Sequence, residues 1–114
     1  MGIDKGLIGG STPLMLLSLL DTADLYGYEI IKEIESRSDS TFQFKEGTLY
    51  PVLHKLEAQG YIRSYWEVGD NNKKRKYYQI TKSGRKQLVK EKENWNQFTS
   101  SISKVIGGTS YALN

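Results

Sequence analysis

A short amphipathic helix in this chain ends in a glycine and runs directly into a basic hairpin, an order that few folds accommodate. Leu49, Val52, Leu53 and Leu56 recur at i, i+3, i+4 and i+7, which draws one apolar stripe on a helix. Gly60 is placed to end that helix in the left-handed conformation. Pro51 is tolerated only in a first turn, so the helix is expected to begin near Thr48. The face away from the stripe displays Gly47, Pro51, His54, Lys55 and Ala58, with Thr48 and Tyr50 on its flanks.

Beyond Gly60, Ile62, Ser64, Trp66 and Val68 share one face by alternation. Gly69-Asp70-Asn71-Asn72 supplies the turn, and Tyr78 and Ile80 form the inward face of the return strand. Lys73, Lys74, Arg75 and Lys76 crowd the tip and the returning edge, with Tyr77 beside them.

The flanking segments read as helices. Ser11-Thr12-Pro13 has the chemistry of a helix start, and Leu14 to Leu20 follows, apolar on nearly every side and so in need of burial all round. A second helix is expected from Tyr26-Gly27, with Tyr26, Ile30 and Ile34 four apart. Phe42 and Phe44 alternate with polar neighbours, as in a short extended segment. Thr81 caps a long last helix that ends at Gly107-Gly108. Leu88, Trp95 and Ile102 stand seven apart along it, and Phe98 and Val105 fill the complementary positions of a nearly heptad seam that Glu91 interrupts.

The fold class that follows is mainly α with a small β-hairpin: a winged helix-turn-helix plus a long C-terminal dimerisation helix. The expected division is a winged-helix unit over 1–80, a dimerisation helix over 81–107 and a loose tail over 108–114, one compact domain overall, as the 114 residues allow.

Charge points to the partner. Residues 1–40 carry 3 basic and 7 acidic side chains, whereas residues 41–92 carry 12 basic and 5 acidic. A basic middle in a nearly balanced chain suits a localised polyanion. In a winged helix the second helix of the turn-helix pair enters the major groove while the hairpin reaches the flanking backbone or minor groove. Thr48, Tyr50, His54 and Lys55 offer hydrogen-bonding groups to double-stranded operator DNA, Gly47 permits close approach, and Lys73 to Lys76 offer charge to phosphates. A protein-contact module without DNA readout is the rival reading.

Other classes are poorly served. The absence of cysteine excludes a disulfide framework, thiol catalysis and thiolate zinc sites, and a single histidine excludes a multi-histidine metal site. No nucleophile–base–acid set or phosphate-cradling glycine loop is discernible, so neither enzyme activity nor a cofactor is expected. The longest apolar run is far short of the roughly 20 residues that cross a bilayer, and Met1 to Gly6 has no signal-like basic region, so a cytoplasmic protein without a membrane partner is expected.

Trp95 admits two readings, a structural anchor in a dimer seam or a platform that stacks a flat ligand.

Several segments together resemble one family. Leu25-Tyr26-Gly27-Tyr28-Glu29-Ile30, Glu46-Gly47-Thr48-Leu49-Tyr50-Pro51, Gly60-Tyr61-Ile62, Ser64-Tyr65-Trp66 and Arg75-Lys76-Tyr77-Tyr78 are similar to the PadR family of bacterial transcriptional regulators, in its short-tailed subgroup. The resemblance covers about residues 12–106. It implies a homodimer, repression and multidrug sensing, the effector being a planar aromatic small molecule held at the dimer interface. Carried onto this chain, it adds Tyr26 and Tyr28 to the DNA-facing set. It assigns Ile8, Ser11, Trp95 and Phe98 to the ligand pocket, and Leu7, Leu88, Trp95, Phe98, Ile102 and Val105 to the dimer interface. Phe98 and Ile8 are bulky for an open pocket.

Overall fold

The computed structural model describes residues 5–107; the side chains of residues 5, 7 and 8 are also outside the description. The assignments made to the side chains of Leu7 and Ile8, and to the tail over 108–114, therefore lie outside the described residues. In chain order the elements are α1 (Lys5–Leu20), β1 (Leu25–Tyr26), α2 (Gly27–Arg37), α3 (Glu46–Ala58), β2 (Ile62–Val68), β3 (Lys74–Ile80) and α4 (Lys82–Ile106). This is the expected winged helix with a long last helix.

The core lies where α1, α2, α3 and the base of the sheet converge. Leu16, Leu17, Leu19 and Leu20 of α1 meet Ile30 and Ile34 of α2 and the Leu49, Leu53 and Leu56 stripe of α3. Ile62, Tyr78 and Ile80 close it from the sheet, and Leu88 closes it from α4. The apolar run of α1 is thus buried as its composition requires.

Four local expectations are corrected. Helix α1 begins at Lys5 and carries Pro13 in its interior, so Ser11-Thr12 is not its start. Pro13 offers no N–H to the carbonyl four residues back, which belongs to exposed Gly9, and water can serve that group. Gly6 and Gly10 of this turn line a concavity between α1 and α4.

Tyr26 does not continue the α2 stripe. It sits in β1, a third strand that pairs antiparallel with β3, so the sheet order is β1-β3-β2 rather than a lone hairpin. The Tyr26 N–H donates to Glu29 Oε1 at 3.1 Å and so secures the start of α2.

Helix α3 begins at Glu46, two residues before Thr48, which leaves Pro51 in the second turn opposite the exposed Gly47 carbonyl. Its end is as expected: Gly60 has φ 81°, with Gly60 N–H on Glu57 O and Tyr61 N–H on Leu56 O, both at 3.0 Å. Phe42 and Phe44 form no strand; they pack half-buried on the core from the loop before α3.

The start of α4 locks onto that same turn. Thr81 Oγ accepts from the Gly84 N–H at 3.0 Å and donates to Gly60 O at 2.7 Å. Gly107, with φ 130°, ends the helix. No helix among the described residues is long and apolar enough to cross a membrane.

Candidate nucleic-acid interface

The α3 surface opposite the core displays Gly47, Thr48, Pro51, His54, Lys55 and Ala58, all exposed. Gly47 is the second residue of α3, and a helical glycine there costs up to about 1 kcal/mol relative to alanine. Nothing lies within 4 Å of where a Gly47 Cβ would stand, so folding does not explain it. Tyr50 is used differently from its neighbours. It is half-buried, and its hydroxyl overlies Gly27, where an added Cβ would stand 2.5 Å from it. Burial, and secondarily the Glu46 carboxylate, push the Tyr50 phenol upward. Its ring stacks on His54 with centroids 6.3 Å apart. Tyr50 therefore steadies the α2–α3 crossing and supports His54, and its ring is not free in the way Thr48 and Lys55 are.

The basic cluster divides between the two faces of the wing. In the β2–β3 register Trp66 lies opposite Lys76 and Val68 opposite Lys74, while Glu67 lies opposite Arg75 and Tyr65 opposite Tyr77. Arg75 turns back over the Tyr26 ring, with 4.6 Å between the guanidinium and the ring centroid. Tyr77 packs edge-on to Tyr26 at 5.4 Å and stacks on Tyr65 at 5.7 Å. The same face carries a chain of hydrogen bonds. Arg63 donates to Gln79 at 2.6 Å, Gln79 donates to Asp24 at 3.0 Å, and Tyr65 donates to Asp24 at 2.6 Å. That last bond, more than lost hydration, holds the Tyr65 phenol up at about 12.

Asp24, in the loop before β1, thereby ties the helix-turn-helix unit to the wing. Sequence reasoning missed this network, although the alternation that puts Tyr65 and Tyr77 on one side was available to find it. Tyr26 and Arg75, both expected to face DNA, are engaged with each other here. Tyr28 remains 55% exposed, with the Lys32 ammonium 5.4 Å from its ring centroid. Lys55, Lys73, Lys74 and Lys76 form no ion pair among the described residues. On the opposite side of the hairpin the Ser64 hydroxyl donates to Glu57 at 2.7 Å and links β2 to α3.

Helix α4 presents Trp95, Phe98, Ile102 and Val105, all exposed, and the Trp95 and Phe98 rings lie 6.2 Å apart. Leu88, assigned to the same seam, is only 3% exposed and belongs to the chain's own core. A concavity of about 360 Å³ between α1 and α4 is lined by Ser11, Leu14, Glu91, Trp95 and Phe98 among others. Glu91 accepts a hydrogen bond from Gln87 at 2.9 Å, which satisfies it within its own helix.

Comparison with known proteins agrees with this architecture. The profile of the transcriptional regulator PadR-like family matches residues 16–90. A transcriptional regulator from Clostridium thermocellum has the same fold at a TM-score of 0.83 and 39% identity, over 90% of this chain and 100% of that one. A Lysinibacillus sphaericus protein is 36% identical over 93% of this chain and 97% of its own length. The negative transcriptional regulator PadR of Bacillus subtilis is 29% identical over 64% of this chain, and the match spans only 40% of that longer protein. With a profile match over most of its length and a fold shared from α1 to α4, the chain belongs to the PadR-like family of transcriptional regulators.

Proposed function

We propose that the chain is a sequence-specific DNA-binding repressor that acts as a homodimer. In this reading α3 enters the major groove and the wing contacts the flanking backbone. Residues 1–80 form the reading head, and α4 clasps the partner through Trp95, Phe98, Ile102 and Val105. The carrying observation is Gly47, an exposed glycine in the first turn of α3 on the face that also carries exposed Lys55, where folding gains nothing from its small size. Close approach of a backbone or phosphate is the physical use of such a position. The name of the Bacillus subtilis relative favours repression over activation.

Gly47→Ala tests the reading. The variant is expected to melt slightly higher, by up to about 1 kcal/mol of stability. Its affinity for duplex from its own promoter region, measured by gel retardation with the mass of the complex, is expected to fall at least tenfold. Parent protein that binds no duplex at low salt would remove the proposal. A variant that binds as tightly as the parent would move the reading head away from α3.

The exposed Trp95 beside the 360 Å³ concavity supports an effector site for a planar aromatic molecule, shared between two subunits. In a Trp66→Phe protein Trp95 is the sole tryptophan, and its emission is expected to be quenched by a planar cationic dye. Unchanged emission at saturating dye would mark Trp95 as an interface anchor only.

A further inference from the structure

The two faces of the wing are chemically unlike. On one, Arg63, Tyr65, Arg75, Tyr77 and Gln79 are engaged with one another or with Asp24 and Tyr26. On the other, the base is core: Ile62, Tyr78 and Ile80 are buried, and Ser64 reaches α3 through Glu57. Past that point the strands run beyond the body of the domain, and the same face continues as Trp66, 60% exposed, and Val68, 57% exposed. Lys76 and Lys74 stand directly opposite them in the register. Lys76 lies 5.8 Å from the Tyr78 ring centroid and has no carboxylate partner among the described residues.

We propose that Trp66, with Val68, is an apolar DNA-contacting wedge, seated on the deoxyribose and base edges of the groove that flanks the base pairs read by α3, while Lys74 and Lys76 hold the adjoining phosphates. This rests on the DNA-binding reading given above. Three features favour duplex DNA over a protein partner. The face is continuous with α3 through Ser64 and Glu57. Its two apolar side chains are each paired across the strands with a lysine that has no ion pair among the described residues, which suits a surface that alternates phosphates with sugars. Apolar side chains between basic ones are also how minor-groove proteins engage deformable base steps. A wedge of this kind selects sites by how readily the flank opens, a preference that α3 contacts alone would not produce.

The chain has two tryptophans, Trp66 and Trp95. Emission of the parent is expected to change on addition of promoter duplex and to saturate with the fraction bound, and that change, the Trp66 signal, is expected to vanish in Trp66→Phe, which keeps Trp95. Trp66→Ala is expected to weaken specific binding roughly 5- to 150-fold, the range for an aromatic stacked on nucleic acid. The slope of log affinity against log salt should stay the same, because a neutral side chain releases no counterion. Trp66→Phe is expected to recover most of the loss, which a merely misfolded wing would not do. Parent protein that fails to bind duplex overturns both this proposal and the reading beneath it. Binding by the parent with silent Trp66 emission and an unweakened Trp66→Ala variant overturns this proposal alone and leaves the patch to a protein partner.

Discussion

A Gly84→Ala chain is expected to lose about 3 kcal/mol of stability and to melt roughly 12–24 °C below the parent, since 1 kcal/mol moves a domain of this size by about 4–8 °C. Gly84 lies in the first turn of α4, buried, with its N–H on Thr81 Oγ at 3.0 Å. An added Cβ would stand 2.0 Å from the Tyr61 carbonyl oxygen, 2.9 Å from its carbon and 2.8 Å from Ile80 Cγ1. The carbonyl cannot step aside. It accepts the Thr81 N–H at 3.0 Å, and Tyr61 itself is held by its N–H on Leu56 O, which closes α3.

The methyl group would therefore wedge apart the end of α3, the base of the wing and the start of α4. Overpacking costs about 1–3 kcal/mol when side chains can give way. Here the obstacle is backbone, so the upper end applies, and it exceeds the roughly 1 kcal/mol that alanine gains in a helix. Thermal melts followed by circular dichroism at one protein concentration check this. A melting point within about 3 °C of the parent would mean that the Tyr61–Gly84 contact does not constrain the fold.

That contact also shows where sequence reading stops. The apolar stripe of α3, its glycine end, the inward Tyr78 and Ile80, and the Thr81 cap were legible because each follows from a local period or a backbone preference. The start of α1 was not. Ser11-Thr12-Pro13 has the chemistry of a helix entry, and a proline inside a helix with an exposed carbonyl four residues before it leaves no local signal that the helix runs on to Lys5. Strand β1 is two residues long and carries no period of its own; pairing with β3 defines it.

At the candidate interface the residue types were legible and their partners were not. Lys73, Lys74, Arg75 and Lys76 look alike as a string. Strand alternation sends Arg75 to the opposite face from Lys74 and Lys76, onto Tyr26. Trp66 shares its face with buried Ile62 by alternation, yet proves exposed because the strands outrun the core. In the same way Leu88 fits the heptad spacing of α4, yet the helix first crosses its own core and only then reaches its exposed seam.

The division of the cluster makes the wing's electrostatics testable residue by residue. Replacing Lys73, Lys74 and Lys76 by alanine removes three charges per subunit, none of them in an ion pair among the described residues. If each meets a phosphate, a dimer loses six contacts. The slope of log affinity against log salt then falls in magnitude by about 5, at roughly 0.9 per contact, and affinity at low salt drops by about three decades or more. Arg75→Ala is expected to behave otherwise. Its guanidinium lies 4.6 Å from the Tyr26 ring centroid, beside the Tyr77 ring that stacks on Tyr65. Its removal forfeits a cation–π contact of about 0.5–1 kcal/mol and some wing orientation, so affinity should fall only severalfold and the slope by less than about 1. Retardation titrations at four salt concentrations separate the two outcomes. Should Arg75→Ala flatten the salt dependence as much as a lysine substitution does, Arg75 leaves Tyr26 for phosphate when DNA is bound, and the wing would use both faces instead of one.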